Sequence, residues 1–195
     1  LGDYIAYKTL MTEELIQYCK INDIDLYASA IYYGHYPIVQ DLLALDIPFS
    51  QSDKAVPPLK NALERHHTLI AKLLIESGKA DLHETWDKNV TPLDLSIELG
   101  NVEMATFLIK RRAKLNTTKG FCDTLTTAVT NQQGNIVSLL LSHYPELARN
   151  KKQLAQLMAI AANQGNLELV INLRHAGADV LADNFYVLAV QGGSL

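Results

Sequence analysis

The residues best suited to chemistry in this chain are its histidines, cysteines and basic side chains, and their spacing decides what each can do. His66 and His67 are adjacent. On a helix neighbours point in different directions, and no third ligand lies near in sequence, so no metal site is expected. Cys19 and Cys122 stand far apart, without a CxxC pair or any metal-ligand spacing. That usage predicts no disulfide framework and fits a reducing, cytoplasmic setting. Cys122 and His143 are too weak a pairing to read as nucleophile and base. The sequence has no G-x-S-x-G, phosphate-loop or paired-carboxylate motif. No catalytic residue and no cofactor is therefore expected, and the chain reads as a non-enzyme.

Charge narrows the partners. The 195 residues carry a formal net charge of -4, with a pI near 5.8. A nucleic-acid partner needs a concentrated positive surface, and acids are spread along this sequence, so none is expected. The longest basic cluster, Lys110-Arg111-Arg112, reads as a solvated helix end, where cations are favoured by the helix dipole. No apolar run approaches the roughly 20 residues of a membrane span, and no signal peptide is visible. The chain begins at Leu1 and not Met, which suggests a segment excised from a longer protein.

These residues have to be positioned by a core, and the core is written as an internal repeat. Leu42, Leu74, Leu108, Leu140 and Leu173 recur at steps of 32, 34, 32 and 33 residues. Three further columns keep the same steps: Ala30, Ala62, Ser96, Ala128 and Ala161; Tyr27, Leu59, Leu93, Leu125 and Met158; Ile38, Ile70, Met104, Ile136 and Leu169. Columns of one leucine, one small residue and two large apolar residues describe a unit that cannot bury its apolar face alone and must stack on copies of itself. All four columns read as packing.

The motifs around the columns agree on the local structure. Thr91 can cap a helix with its hydroxyl, and Pro92 suits the first helical position. Asp94 stands three after the cap, a shorter version of the capping-box acid. Gly100 supplies the left-handed turn that ends the helix. A second helix is predicted over Val102 to Arg111, with Met104, Phe107 and Leu108 on one face.

The stretch from Val90 to Asn101 resembles the ankyrin pattern T-P-L-H-x-A-A-x-x-G-H, and Ala176-Gly177-Ala178-Asp179-Val180 is close to that family's G-A-D-V-N. The step of about 33 residues is the ankyrin period. The resemblance covers roughly residues 22 to 193. It implies an all-α, ankyrin-repeat solenoid of stacked helix-turn-helix units with β-hairpin-like loops. On this reading an N-terminal capping helix or partial repeat occupies 1–21. Five repeats follow over 22–51, 52–85, 86–117, 118–150 and 151–182, and a truncated partial repeat occupies 183–195.

The repeats depart from the pattern in particular places. Repeat two has Pro57-Pro58 for Thr-Pro and His66-His67 for Gly-His, so His66 must take the turn without glycine or the turn must differ. It also carries an extra residue near Gly78-Lys79-Ala80-Asp81. Repeat four replaces the opening motif by Asp123-Thr124-Leu125-Thr126 and places Gln132 at the glycine position, with Gly134 available to shift the turn. Repeat five lacks the T-P pair, and its opening helix is predicted over Leu154 to Asn163. Thr12 to Lys20 reads as an amphipathic helix, and Asn184 to Gly192 as a first helix whose partner would lie past Leu195.

The resemblance also says where partners would sit: on the concave side, along hairpin tips and the exposed faces of first helices. The two positions before each junction glycine vary in the family. Here they are Tyr32 and Tyr33, Glu64 and Arg65, Glu98 and Leu99, Thr130 and Asn131, and Asn163 and Gln164. Tyr32 and Tyr33 suit a binding hot spot, or pack against the N-terminal helix near Tyr18. Trp86 falls near a hairpin tip, where it either meets a partner or packs locally against Lys88 or a neighbouring hairpin; Phe121 holds the equivalent place in repeat four.

The implied function is a protein-interaction scaffold that takes a protein or peptide and acts as a monomer. One alternative is the scaffold or substrate-recruiting part of a larger multidomain enzyme. Another follows from degenerate repeats rich in Asn, Gln, Ile and Lys, which are similar to ankyrin effectors that intracellular bacteria deliver into the host cytosol.

Overall fold

The computed structural model describes residues 17, 21–22, 24–50, 56–86, 89–115 and 121–178, with the side chains of 121–123 outside that description. Among the described residues the fold is all-α and has no strand; ten α-helices and the 3-10 helix Pro145–Arg149 lie wholly within them. The chain divides into two compact units, Leu1–Asp81 and Leu82–Leu195.

The first unit holds two helix pairs: α1 (Leu26–Tyr32) with α2 (Tyr36–Ala44), and α3 (Pro58–Glu64) with α4 (Thr68–Glu76). First helix packs on first helix and second on second, α1 against α3 and α2 against α4. The second unit holds α5 (Pro92–Glu98), α6 (Val102–Lys110), α7 (Phe121–Thr130), α8 (Gly134–His143), α9 (Lys151–Asn163) and α10 (Leu167–His175). There α5, α7 and α9 stack in sequence, as do α6, α8 and α10.

The columns are the core. Every member of the leucine column is fully buried, and so are the small and third columns. In the fourth, Ile70, Met104, Ile136 and Leu169 are buried, while Ile38 is only half-buried. The small column does more than admit a neighbour. In each pair the first helix ends in the same Schellman motif, and the carbonyl of the small residue accepts its outer bond. The donors are the N–H groups of His35, His67, Asn101, Gln133 and Asn166. The leucine carbonyls serve likewise at second-helix ends, with Ile47, Ala113 and Ala178 as donors. In the second pair the donor is Ala80, one position later relative to Leu74, which places the extra residue in that turn.

The Schellman motif needs one left-handed residue, and the chain supplies it with or without glycine. Gly34, Gly100 and Gly165 have φ between +69° and +73°. His66 and Gln132 take the same position at φ +58° and +57°. The turn is therefore kept at both degenerate sites. Gly134 does not shift it and instead opens α8.

Helix starts follow local chemistry. Thr91 and Asp94 form a reciprocal capping box: the Asp94 N–H donates to Thr91 Oγ1 at 3.1 Å, and the Thr91 N–H to Asp94 Oδ2 at 3.2 Å. Pro57 and Pro58 open α3 without a side-chain cap. Asn150, whose carboxamide accepts from the Gln153 N–H at 3.2 Å, starts α9 at Lys151, three residues before the predicted start at Leu154. The second helix of the third pair ends at Lys110, with Arg111 as its cap.

No strand forms among the described residues, and one hairpin-like loop falls within them. The segment before α5 closes as a turn, with the Trp86 N–H donating to the Val90 carbonyl and the Asn89 N–H to that of Trp86. Between α8 and α9 the link is a 3-10 helix, Pro145–Arg149, because Tyr144 ends α8 and a proline follows it. The helices expected over 12–20, apart from Gln17, and over 184–192 lie outside the described residues.

Candidate functional site

The turns after the first helices bring the variable pairs to the same end of each helix, but the pairs do not share one environment. In the first unit Tyr32 is the last residue of α1 and Tyr33 its cap. They are 45% and 69% exposed. Their rings meet edge to face with centroids 5.0 Å apart, and the His35 ring lies 6.1 Å from that of Tyr33. Across the stack, Arg65 at the end of α3 lays its guanidinium over the Tyr32 ring, with Cζ 3.8 Å from the centroid. Glu64, just before it, pairs with Lys60 one turn back at 3.9 Å.

His67 fixes this corner. Its Nε2 lies 3.3 Å from the Tyr32 carbonyl, and its ring occupies the space above Gly34. A Cβ at Gly34 would stand 2.7 Å from His67 Cε1. Glycine is thus favoured there twice, by φ +73° and by the imidazole. Deeper in the same stack the Asn61 carboxamide donates to the Ala28 carbonyl at 3.4 Å.

In the second unit the amides are used differently. Asn131 Nδ2 and Gln133 Nε2 both donate to the Ile97 carbonyl, at 3.4 and 3.0 Å. Gln164 Nε2 donates to the Thr130 carbonyl at 3.0 Å. Each staple takes an acceptor near the C-terminal end of the preceding first helix, where intrahelical partners run out. The Thr130 hydroxyl is turned back to the Thr126 and Thr127 carbonyls, both at 3.0 Å. Of the expected partner-binding positions, the Asn131 and Gln164 side chains are therefore bonded to the preceding first helix, and the Thr130 hydroxyl is bonded within its own helix. Glu98 and Asn163 are exposed and Leu99 is half-buried.

The two expected aromatic tips fare differently from Tyr32 and Tyr33. Trp86 is half-buried, and its buried indole Nε1 has no acceptor among the described residues. Phe121 is the first residue of α7 and not a hairpin tip; its side chain, like Lys88, lies outside the described residues, as does Tyr18.

Sequence reading missed His67, Asn61 and Gln133 as staples. A signal exists one position after the junction turn. There Asn101 and Asn166 are short enough to cap the helix that follows, accepting from the Met104 and Leu169 N–H groups. His67 and Gln133 make no such cap and reach back across the stack instead. Side-chain length separates the two roles.

Among the described residues no group of three His, Cys, Asp or Glu side chains gathers to hold a metal ion. Nor is any described helix long and apolar enough to cross a membrane. A family model described as ankyrin repeats (3 copies) matches residues 26–119. A comparison with curated proteins finds no match to the chain.

Proposed function

Residues 26–119 belong to the ankyrin-repeat family, whose repeats are generally protein–protein interaction modules and typically non-catalytic, and from that premise we propose that this chain binds a partner protein through the turn surface built by Tyr32, Tyr33 and Arg65. The side concerned is that of the first helices, the concave side in ankyrin stacks. The observation that carries the reading is the exposure of two adjacent tyrosines beside a stacked arginine. Tyrosine and arginine, with tryptophan, are enriched where binding energy concentrates. Isolated exposed apolar residues are ordinary on protein surfaces, but two tyrosines and a guanidinium held in mutual contact form a pre-ordered surface that loses little entropy on binding.

The amide staples of the second unit support the same division of labour. Asn131 and Gln164 hold neighbouring repeats together, so binding in this chain concentrates on the first unit, where the corresponding positions are aromatic and basic.

A photo-crosslinking amino acid placed at position 33, with a control at exposed Gln40 on α2, tests the proposal in extracts of the cell that makes the protein. The expected result is discrete protein adducts from position 33 and none from position 40. Equal adduct yields from the two positions would remove the turn surface from consideration.

A further inference from the structure

We infer that the Tyr32–Tyr33–Arg65 surface is built for an acidic peptide, an extended segment bearing Asp and Glu carboxylates. This inference rests on the binding role proposed above and names the chemistry of the partner.

The surface is rich in donors and poor in acceptors. Among the described residues no hydrogen bond or ion pair takes the Arg65 guanidinium, which stacks on Tyr32. A guanidinium lying flat on a ring keeps its edge N–H groups directed outward, in the fork geometry that matches a carboxylate. Stacking also fixes the side chain before the ligand arrives, so less rotamer freedom is lost. The Tyr32 and Tyr33 hydroxyls have no partner among the described residues, and each can donate. His35 and His66, both exposed, add imidazole N–H donors.

The acceptors that would repel an anion are already engaged. The carbonyls of Ala28, Ala30, Ile31 and Tyr32 receive the Asn61 amide, the His35 N–H, the Gly34 N–H and the His67 ring. The negative end of the α1 dipole is thereby covered by protein donors. Glu64, the carboxylate adjacent in sequence, is held by Lys60. The chain as a whole carries a net charge of -4, so a donor-rich, cation-bearing patch is a local departure from its average, and charge complementarity selects an acidic segment over a basic or neutral one.

Short random peptides displayed on phage and selected on the intact chain provide the test, with parallel selections on Arg65→Gln, Arg65→Lys and a Tyr32→Ala/Tyr33→Ala double variant. Arg65 is exposed, and circular dichroism of each variant confirms that the helices remain. The expected outcome is a population enriched in Asp and Glu. Its members should lose about tenfold in affinity on Arg65→Gln, and on replacement of their own Asp and Glu by Asn and Gln. Arg65→Lys should retain only part of the affinity, because the ammonium keeps the charge without the fork.

Binders that need the tyrosines but show no acidic enrichment would overturn this inference and leave the binding role standing. Acidic binders indifferent to Arg65 would also overturn it, as would their displacement by inorganic phosphate at equal ionic strength, which would assign the site to a phosphate. Binders that survive the double tyrosine variant unchanged would overturn the binding role itself.

Discussion

The Thr124 hydroxyl donates to Oδ1 of Asp94 at 2.6 Å, while Oδ2 of the same carboxylate closes the capping box at the start of α5. One carboxylate thus starts its own helix and ties it to the next first helix, α7. Thr124 is buried, so removing its hydroxyl leaves a charged acceptor without that partner. Thr124→Val should cost about 2 kcal/mol, and Asp94→Ala more, since it also opens the cap. Urea unfolding of the two variants checks both values, and a double variant should be less than additive because the two side chains share one bond.

The left-handed turns at His66 and Gln132 are strained positions that glycine would relieve. A non-glycine residue there costs about 1–2 kcal/mol, offset in part by the greater entropy glycine loses on folding. His66→Gly and Gln132→Gly should each stabilise the chain by about 0.5–1 kcal/mol. Gly34→Ala should destabilise it by more than the left-handed cost alone, because the new Cβ collides with the His67 ring. Unfolding midpoints measured on the three variants decide the signs.

The staple at Gln164 is structural. Gln164→Ala removes the bond to the Thr130 carbonyl and should lower stability by about 1 kcal/mol. Peptide binding at the first-unit tyrosines should be unaffected. A stability loss accompanied by an equal loss of peptide affinity would contradict the separation of staples from binders.

Tyr144 gives the fold an alkaline limit. Its hydroxyl donates to the Ala113 carbonyl. Burial pushes the phenol from 10.0 up to about 12; Glu146 acts in the same direction, and Arg112 opposes it. The unfolded chain therefore ionises first as pH rises. The stability held by the neutral phenol is intact below pH 10 and falls as pH climbs from 10 towards 12. Tyr144→Phe should cost about 1 kcal/mol at neutral pH and flatten that alkaline fall, both readable from urea unfolding at a series of pH values.

Most of the architecture was legible because burial repeats. A leucine at positions 42, 74, 108, 140 and 173 can be conserved in spacing only if each meets the same surroundings, and all five are buried. The turns were legible where a glycine marked them, and the chain kept them at His66 and Gln132 because the Schellman bonds to Ala62 and Ala128 outweigh the local strain. The roles of the polar turn residues were harder to read. Asn101 caps forward while Gln133 staples backward, and one methylene separates them in chemistry. The early start of α9 has no Thr-Pro pair to mark it, because Asn150 caps the helix instead. Analogy with the repeat before it puts Phe121 at a hairpin, whereas here it begins a helix.

The proposed binding surface requires Tyr32 and Tyr33 to be available to a partner and not part of the packing. The unfolding free energy of the Tyr32→Ala/Tyr33→Ala double variant, measured beside Leu42→Ala, tests this most directly. Leu42 is fully buried, and its truncation should cost about 2–5 kcal/mol. The double tyrosine variant should stay within about 1 kcal/mol of the parent chain, the worth of one exposed ring–guanidinium stack. A loss matching that of Leu42→Ala would show that the tyrosines hold the fold together, and the binding surface would have to lie elsewhere.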